Sequence, residues 1–147
     1  MNKNLFFIPV IALAIIFGIR TAFASYEGTV KVNKRIQLEW QQKLSDAMTW
    51  MDAIAYCDNL VLNRKDDWRL PTPNELATLI DYTKVPAIDT NLFEYKVHPS
   101  IPDRSFGWSS ITAIGNEGRA YVVEYLAGTI GTVYKTENVV FARCVRG

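Results

Sequence analysis

The chain has a single histidine, His98, and only two cysteines, Cys57 and Cys144, among 147 residues. That scarcity leaves no Cys or His cluster of the kind that holds a structural or catalytic metal, and it leaves nucleophilic catalysis with one imidazole in a proline-flanked loop. No run of Lys and Arg stands out, and 16 basic residues face 15 acidic ones. The global field that would draw in a polyanion is therefore missing, and no nucleic-acid partner is expected. There is no internal repeat and no low-complexity tract.

A long apolar run is missing as well, although the first 24 residues approach one. Lys3 gives a positive start, Leu5 to Ile19 is apolar, and Ala22-Phe23-Ala24 is a small-x-small cleavage site. This stretch of about 15 residues falls short of the roughly 20 that a spanning helix needs, and Arg20 interrupts its end. Residues 1–24 therefore read as an export signal, with 25–147 as a single mature domain. The membrane is a partner only if that signal stays uncleaved. Removing Lys3 and Arg20 with the leader brings the mature chain close to neutrality.

Export changes what the cysteines mean, because disulfides form and persist outside the cytoplasm. Cys57 and Cys144 are the only candidates for each other, with two free thiols or metal ligands as the alternative. Their bond would close a loop of roughly 88 residues, for which the chain-entropy model gives about 4 to 5 kcal/mol.

What the sequence does have is the segment Asp67 to Leu76, DWRLPTPNEL. Trp68, Arg69 and Leu70 form a short extended lead-in, and Pro71 closes it. Thr72 is placed as a helix N-cap, Pro73 suits the first helical position, and Glu75 stands three residues after the cap, where it can reach back. Leu76, Leu79 and Ile80 then fall on one helical stripe, so a helix is expected from Pro73 to about Asp81. Arg69, charged between two residues expected in the core, should pair with a carboxylate or backbone carbonyls to hold the turn.

Upstream, Gly28 to Trp40 alternates as one or two short strands. Thr49 and Asp52 suggest a second capping box, opening a helix with Trp50, Ile54, Cys57 and Val61 on one face. Thr83 to Gly107 shows no convincing period and contains Pro86, Pro99 and Pro102, a loop unusually long for a compact domain. Val85, Ile88, Leu92 and Phe93 should pin it to the body. Strands are expected at Phe106–Ser110, Ala120–Tyr125, Thr129–Tyr134 and Val139–Val145, with Cys144 on the last of them.

These pieces together resemble the Lcl C-terminal domain family, named for the end domain of a bacterial collagen-like adhesin and otherwise described as of unknown function. The resemblance is carried by Gly28-Thr29-Val30, Leu38 to Gln41, Thr49-Trp50, Asp52-Ala53, Tyr56-Cys57, Asp67 to Leu76, Trp108-Ser109-Ser110 and Arg143 to Gly147. It implies an α+β domain with a C-type lectin-like fold: two helices on a small, mainly antiparallel sheet, a long irregular loop region and one disulfide. It does not imply a calcium site. The Glu-Pro-Asn or Gln-Pro-Asp loop motif of sugar-binding lectins is missing, Pro102-Asp103 is only a fragment of it, and Trp108 is followed by two serines.

No cofactor and no catalytic set is expected. Asp66 and Asp67 are two oxygen-bearing neighbours where calcium needs six or more ligands. Trp40, Trp50, Trp68 and Trp108 all lie in fold-defining motifs and are read as core. The expected function is that of an exported, non-catalytic recognition or adhesion module, periplasmic, cell-surface or secreted, binding a glycan or a cell-surface protein. Its expected contacts are Tyr95, His98 and Arg104 in the long loop and Asn116 and Arg119 in the 112–119 turn. An envelope enzyme with a hidden site and a structural subunit of an envelope assembly are the alternatives.

Overall fold

The structure, a computed structural model, describes residues 28–31 and 37–147. The expected leader lies outside these residues, as do residues 32–36 within the first expected strand pair.

Two sheets carry the domain. β1 (Thr29–Lys31), β2 (Glu39–Gln41) and β8 (Val145–Arg146) form the smaller one in the order β1-β2-β8. The larger contains β3 (Ala47–Met48), β4 (Phe106–Thr112), β5 (Arg119–Glu124), β6 (Ile130–Tyr134) and β7 (Val140–Phe141), in the order β3-β7-β4-β5-β6. All pairings are antiparallel except β4 with β7. With helices α1 (Trp50–Asp58) and α2 (Pro73–Ala77) this makes an α+β domain.

Both helices start where the sequence places them. Thr72 accepts from the Glu75 N–H, and the Glu75 carboxylate accepts from the Thr72 N–H, a complete capping box with Pro73 inside it. Thr49 caps α1, but the reciprocal half is absent. The Asp52 carboxylate takes the Thr49 hydroxyl at 2.6 Å instead of the cap backbone. Aspartate is one methylene shorter than the glutamate this box favours.

Further expectations need correction. Helix α1 ends at Asp58, so Val61 lies beyond it and is 70% exposed, and Ala53 joins Cys57 as a buried helical residue. Helix α2 is a single turn whose continuation to Ile80 is made of tighter bonds, Leu79 N–H to Leu76 and Ile80 N–H to Ala77. In the long loop Ile88 and Phe93 are buried, but Val85 and Leu92 are exposed, so the pinning rests on half of the residues expected to provide it. The last strand splits into β7 and β8, and Cys144 sits between them rather than on a strand.

That split has a local cause. The Ser45 hydroxyl accepts from the Ala142 N–H at 2.8 Å, and the Gln41 side chain accepts from the Cys144 N–H at 3.2 Å. Between them the buried Arg143 guanidinium donates to the carbonyls of Gln41, Gln42 and Glu94. Side chains thus take the Ala142 and Cys144 N–H groups where the chain crosses from one sheet to the other, while the carbonyls of the same two residues still accept from the Ser45 and Gln41 backbone. Cys57 and Cys144 are bonded, with Cα atoms 5.5 Å apart, tying α1 to this crossing.

Two cores result. One face of the β4–β5 region packs Val123 and Tyr125 against Leu76, Leu79, Ile88 and Phe93. The opposite face brings Trp108, Ala120 and Val122 against Ala53, Cys57, Trp68 and Leu70. Trp40, Trp68 and Trp108 are buried as expected. Trp50 is only half-buried, its indole N–H donating to the Ser109 carbonyl while Lys135 sits 4.1 Å from the ring centre.

Candidate functional site

The register of the larger sheet places Phe106, Trp108, Val122, Glu124, Gly131 and Val133 on one face. The second core takes Trp108, Ala120 and Val122 from that face but leaves Phe106 and Val133 only partly buried. Over this remainder lies a cleft of about 490 Å³, floored by Phe106, Val122, Glu124, Gly131 and Val133. That volume is within the roughly 300–1,000 Å³ typical of small-ligand clefts. Leu126, Ala127 and Thr129 wall it on the side of the β5–β6 turn, and Asp103 and Arg104 rim it from the end of the long loop.

Glu124 is 93% buried, and its carboxylate is held by backbone. Oε1 accepts from the Leu126 N–H at 2.9 Å and the Ser105 N–H at 3.5 Å, and Oε2 accepts from the Ala127 N–H at 2.8 Å. These contacts stabilise the turn into β6. Gly128, at φ +75°, completes that turn, in a region that favours glycine. Among the described residues no ion pair involves Glu124, Asp103 or Arg104.

Of the contact residues expected from sequence, only Arg104 lines the cleft. Tyr95 is half-buried against the first core, and burial, then the nearby Glu124 charge, pushes its hydroxyl above the ordinary value. His98 accepts the Ser100 N–H on Nδ1 at 3.2 Å, and its backbone bridges to Ile101 in a local turn. Asn116 accepts the Gly118 N–H and shapes the 113–119 turn. Arg119 donates to the Thr132 hydroxyl and carbonyl and lies 4.4 Å from the Tyr134 ring centre, so its guanidinium is engaged within the sheet.

The motif residues act as architecture. Arg69 and Glu75 form a two-pronged ion pair at 2.8 and 2.6 Å, the carboxylate partner expected for that arginine. Asp67 pairs with Arg146, whose guanidinium holds the Asp67 carboxyl below its ordinary range. Pro71 accepts the Ser110 N–H at 2.7 Å, joining DWRLPTPNEL to β4.

In sequence Glu124 looks like one more polar position of the alternating strand Ala120–Tyr125, and its one distinguishing signal is that it is a lone carboxylate in the apolar run Ala120 to Leu126, just before the Ala127-Gly128 turn. Among the described residues no group of three or more His, Cys, Asp or Glu is arranged to hold a metal ion.

Fold and site together define a small disulfide-tied α+β domain with a loop-rimmed cleft on the open part of its larger sheet. The chain belongs to the Lcl C-terminal domain family, whose model matches residues 28–146. A comparison with curated proteins finds no significant match.

Proposed function

We propose that this domain is an exported, non-catalytic recognition module that binds a glycan or a protein through the cleft where the long loop meets the larger sheet. The observation that carries this reading is the pairing of an uncovered concave sheet face with two rim charges, Asp103 and Arg104, that no ion pair engages among the described residues. Polar groups at the rim of a partly apolar hollow give orientation and specificity to a ligand. The Cys57–Cys144 bond accords with export, where such bonds persist. A disulfide from the first helix to the last crossing, beside a long loop, also supports reading the architecture as C-type lectin-like.

Two carboxylates in one cleft favour the enzyme alternative to a degree. Against it, the Glu124 oxygens are already committed to three backbone N–H groups, and neither histidine nor cysteine lines the cleft. Turnover of a bound glycan by the mature chain would decide for the enzyme. The test of recognition is binding of residues 25–147 to a glycan array, to heparin and to surface proteins, beside a variant in which the exposed rim residues Asp103 and Arg104 are both replaced by alanine. Binding that falls at least tenfold in the variant is expected; no affinity, or affinity that ignores the replacement, overturns the reading.

A further inference from the structure

The cleft is graded in depth, and its grading constrains what can enter it. Asp103 and Arg104 are exposed at the rim, whereas Glu124 at the floor is 7% exposed. Whatever reaches the floor meets a carboxylate, which only accepts hydrogen bonds. Three backbone N–H groups occupy three of its roughly four lone-pair sites. One acceptor position is left for a donor from the ligand.

A ligand covering Glu124 also removes the remaining solvent exposure of a carboxylate that has no cationic partner in an ion pair among the described residues. A neutral donor leaves that charge uncompensated, while a cationic donor offsets the loss with a charge-assisted bond. Phe106, Val122 and Val133 share the floor with it, and this apolar lining suits methylenes better than the hydroxyls of a sugar ring. At the rim Asp103 adds a second carboxylate against the single guanidinium of Arg104, so the lining as a whole is net acidic.

We propose that the cleft takes an ammonium or guanidinium group on an aliphatic stem, with the floor carboxylate of Glu124 as its anchor. This rests on the reading of the cleft as the recognition site and names the ligand chemistry. Such a group occurs on free polyamines and on the lysine and arginine side chains of a partner polypeptide.

Gly131 supplies a test that leaves the turn intact. It lines the cleft in β6, and a Cβ built there meets nothing within 4 Å, so Gly131→Val adds bulk at the cleft from a position with room for its Cβ. Valine also suits a strand better than glycine, so this variant should melt no lower than the parent. The experiment titrates the mature chain with 1,4-diaminobutane, Nα-acetyl-lysine methylamide and, as the uncharged control, 1-butanol, following backbone amide resonances.

The expected result is that one or both amines move the Leu126, Ala127 and Gly131 resonances. Affinity should fall at least tenfold in Gly131→Val and in Glu124→Gln, and butanol should have no comparable effect. Response to the diamine alone assigns a free amine, and response to the lysine derivative alone assigns a polypeptide side chain. Amines that leave these resonances unmoved at millimolar concentration, bind Gly131→Val equally well, or are matched by butanol overturn the proposal. If a neutral oligosaccharide moves them instead, the cationic class fails while the cleft stands as a recognition site. If binding found on the array ignores Gly131→Val, the cleft itself is the wrong site.

Discussion

Glu75 serves two structures with one carboxylate: it accepts the Thr72 N–H at 2.8 Å and grips Arg69 through both oxygens. The Arg69 hydrogen bond is the main reason its carboxyl lies below the ordinary 4.5, with the Thr72 contacts adding to it. A folded-state value below the unfolded one means stability that is complete above the unfolded value and lost as pH falls through the lowered one. Because the arginine side chain is 41% exposed, solvent discounts the ion pair. Glu75→Gln keeps an oxygen for the Thr72 N–H, so it should cost at most about 1 kcal/mol near neutrality, most of it from the charge lost opposite Arg69. Urea unfolding at about pH 7 and about pH 3 checks this, with the gap between parent and variant closing in acid. A gap that stays constant would mean that the carboxylate charge has no part in it. This residue was legible in advance because capping is local and is written in four consecutive letters. Arg143 was not. Its three carbonyl partners lie about 50 and 100 positions away, and nothing near it in sequence announces that a guanidinium will be buried there.

Strand β6 shows the same limit at the scale of an element. Its sequence marks it as a strand, yet its place at the end of the sheet follows from pairings that local pattern does not contain. The Lys135 backbone N–H donates to the Gly118 carbonyl, and the Glu124 backbone N–H donates to the Thr129 carbonyl. In an antiparallel ladder that alternation turns the backbone groups of Ile130, Thr132 and Tyr134 away from β5, toward the open edge. The strand carries no charge and no proline, and such an edge invites pairing with another chain. Arg119 reaches over it, donating to the outward Thr132 carbonyl as well as its hydroxyl. The arginine expected from sequence as a ligand contact thus covers a sheet edge. Arg119→Ala should leave the fold intact but promote self-association that rises with concentration, measurable by sedimentation. A variant that stays monomeric to about millimolar concentration, where the parent does too, would show that the edge needs no such cover. The split of Val139–Val145 into β7 and β8 belongs to this scale as well: the residues read as one strand, and only the distant Ser45 and Gln41 reveal the break.

For the whole molecule, the Cys57–Cys144 bond ties helix α1 to the crossing between β7 and β8 across 87 positions. Other contacts share the task. Arg69 and Val145 exchange both backbone hydrogen bonds, and Arg146 bridges Glu39 and Asp67. The bond acts differently from these, because it persists in the unfolded chain and limits how far that chain can expand. Pairing was legible from sequence since only two cysteines exist, whereas the crossing that places Cys144 beside α1 depends on side-chain contacts from two sheets. A closed loop of this length corresponds to about 4 to 5 kcal/mol in the chain-entropy model. Reduction, or the double change Cys57→Ala with Cys144→Ala, should therefore lower the melting temperature by more than about 10 °C. The denaturant slope should rise at the same time, because the released chain exposes more surface on unfolding. A lower melting temperature with an unchanged slope would place the effect in the folded state, at the crossing between the sheets. Equal melting with and without reductant would mean that Arg143 and the Arg69–Val145 pairing alone hold that crossing.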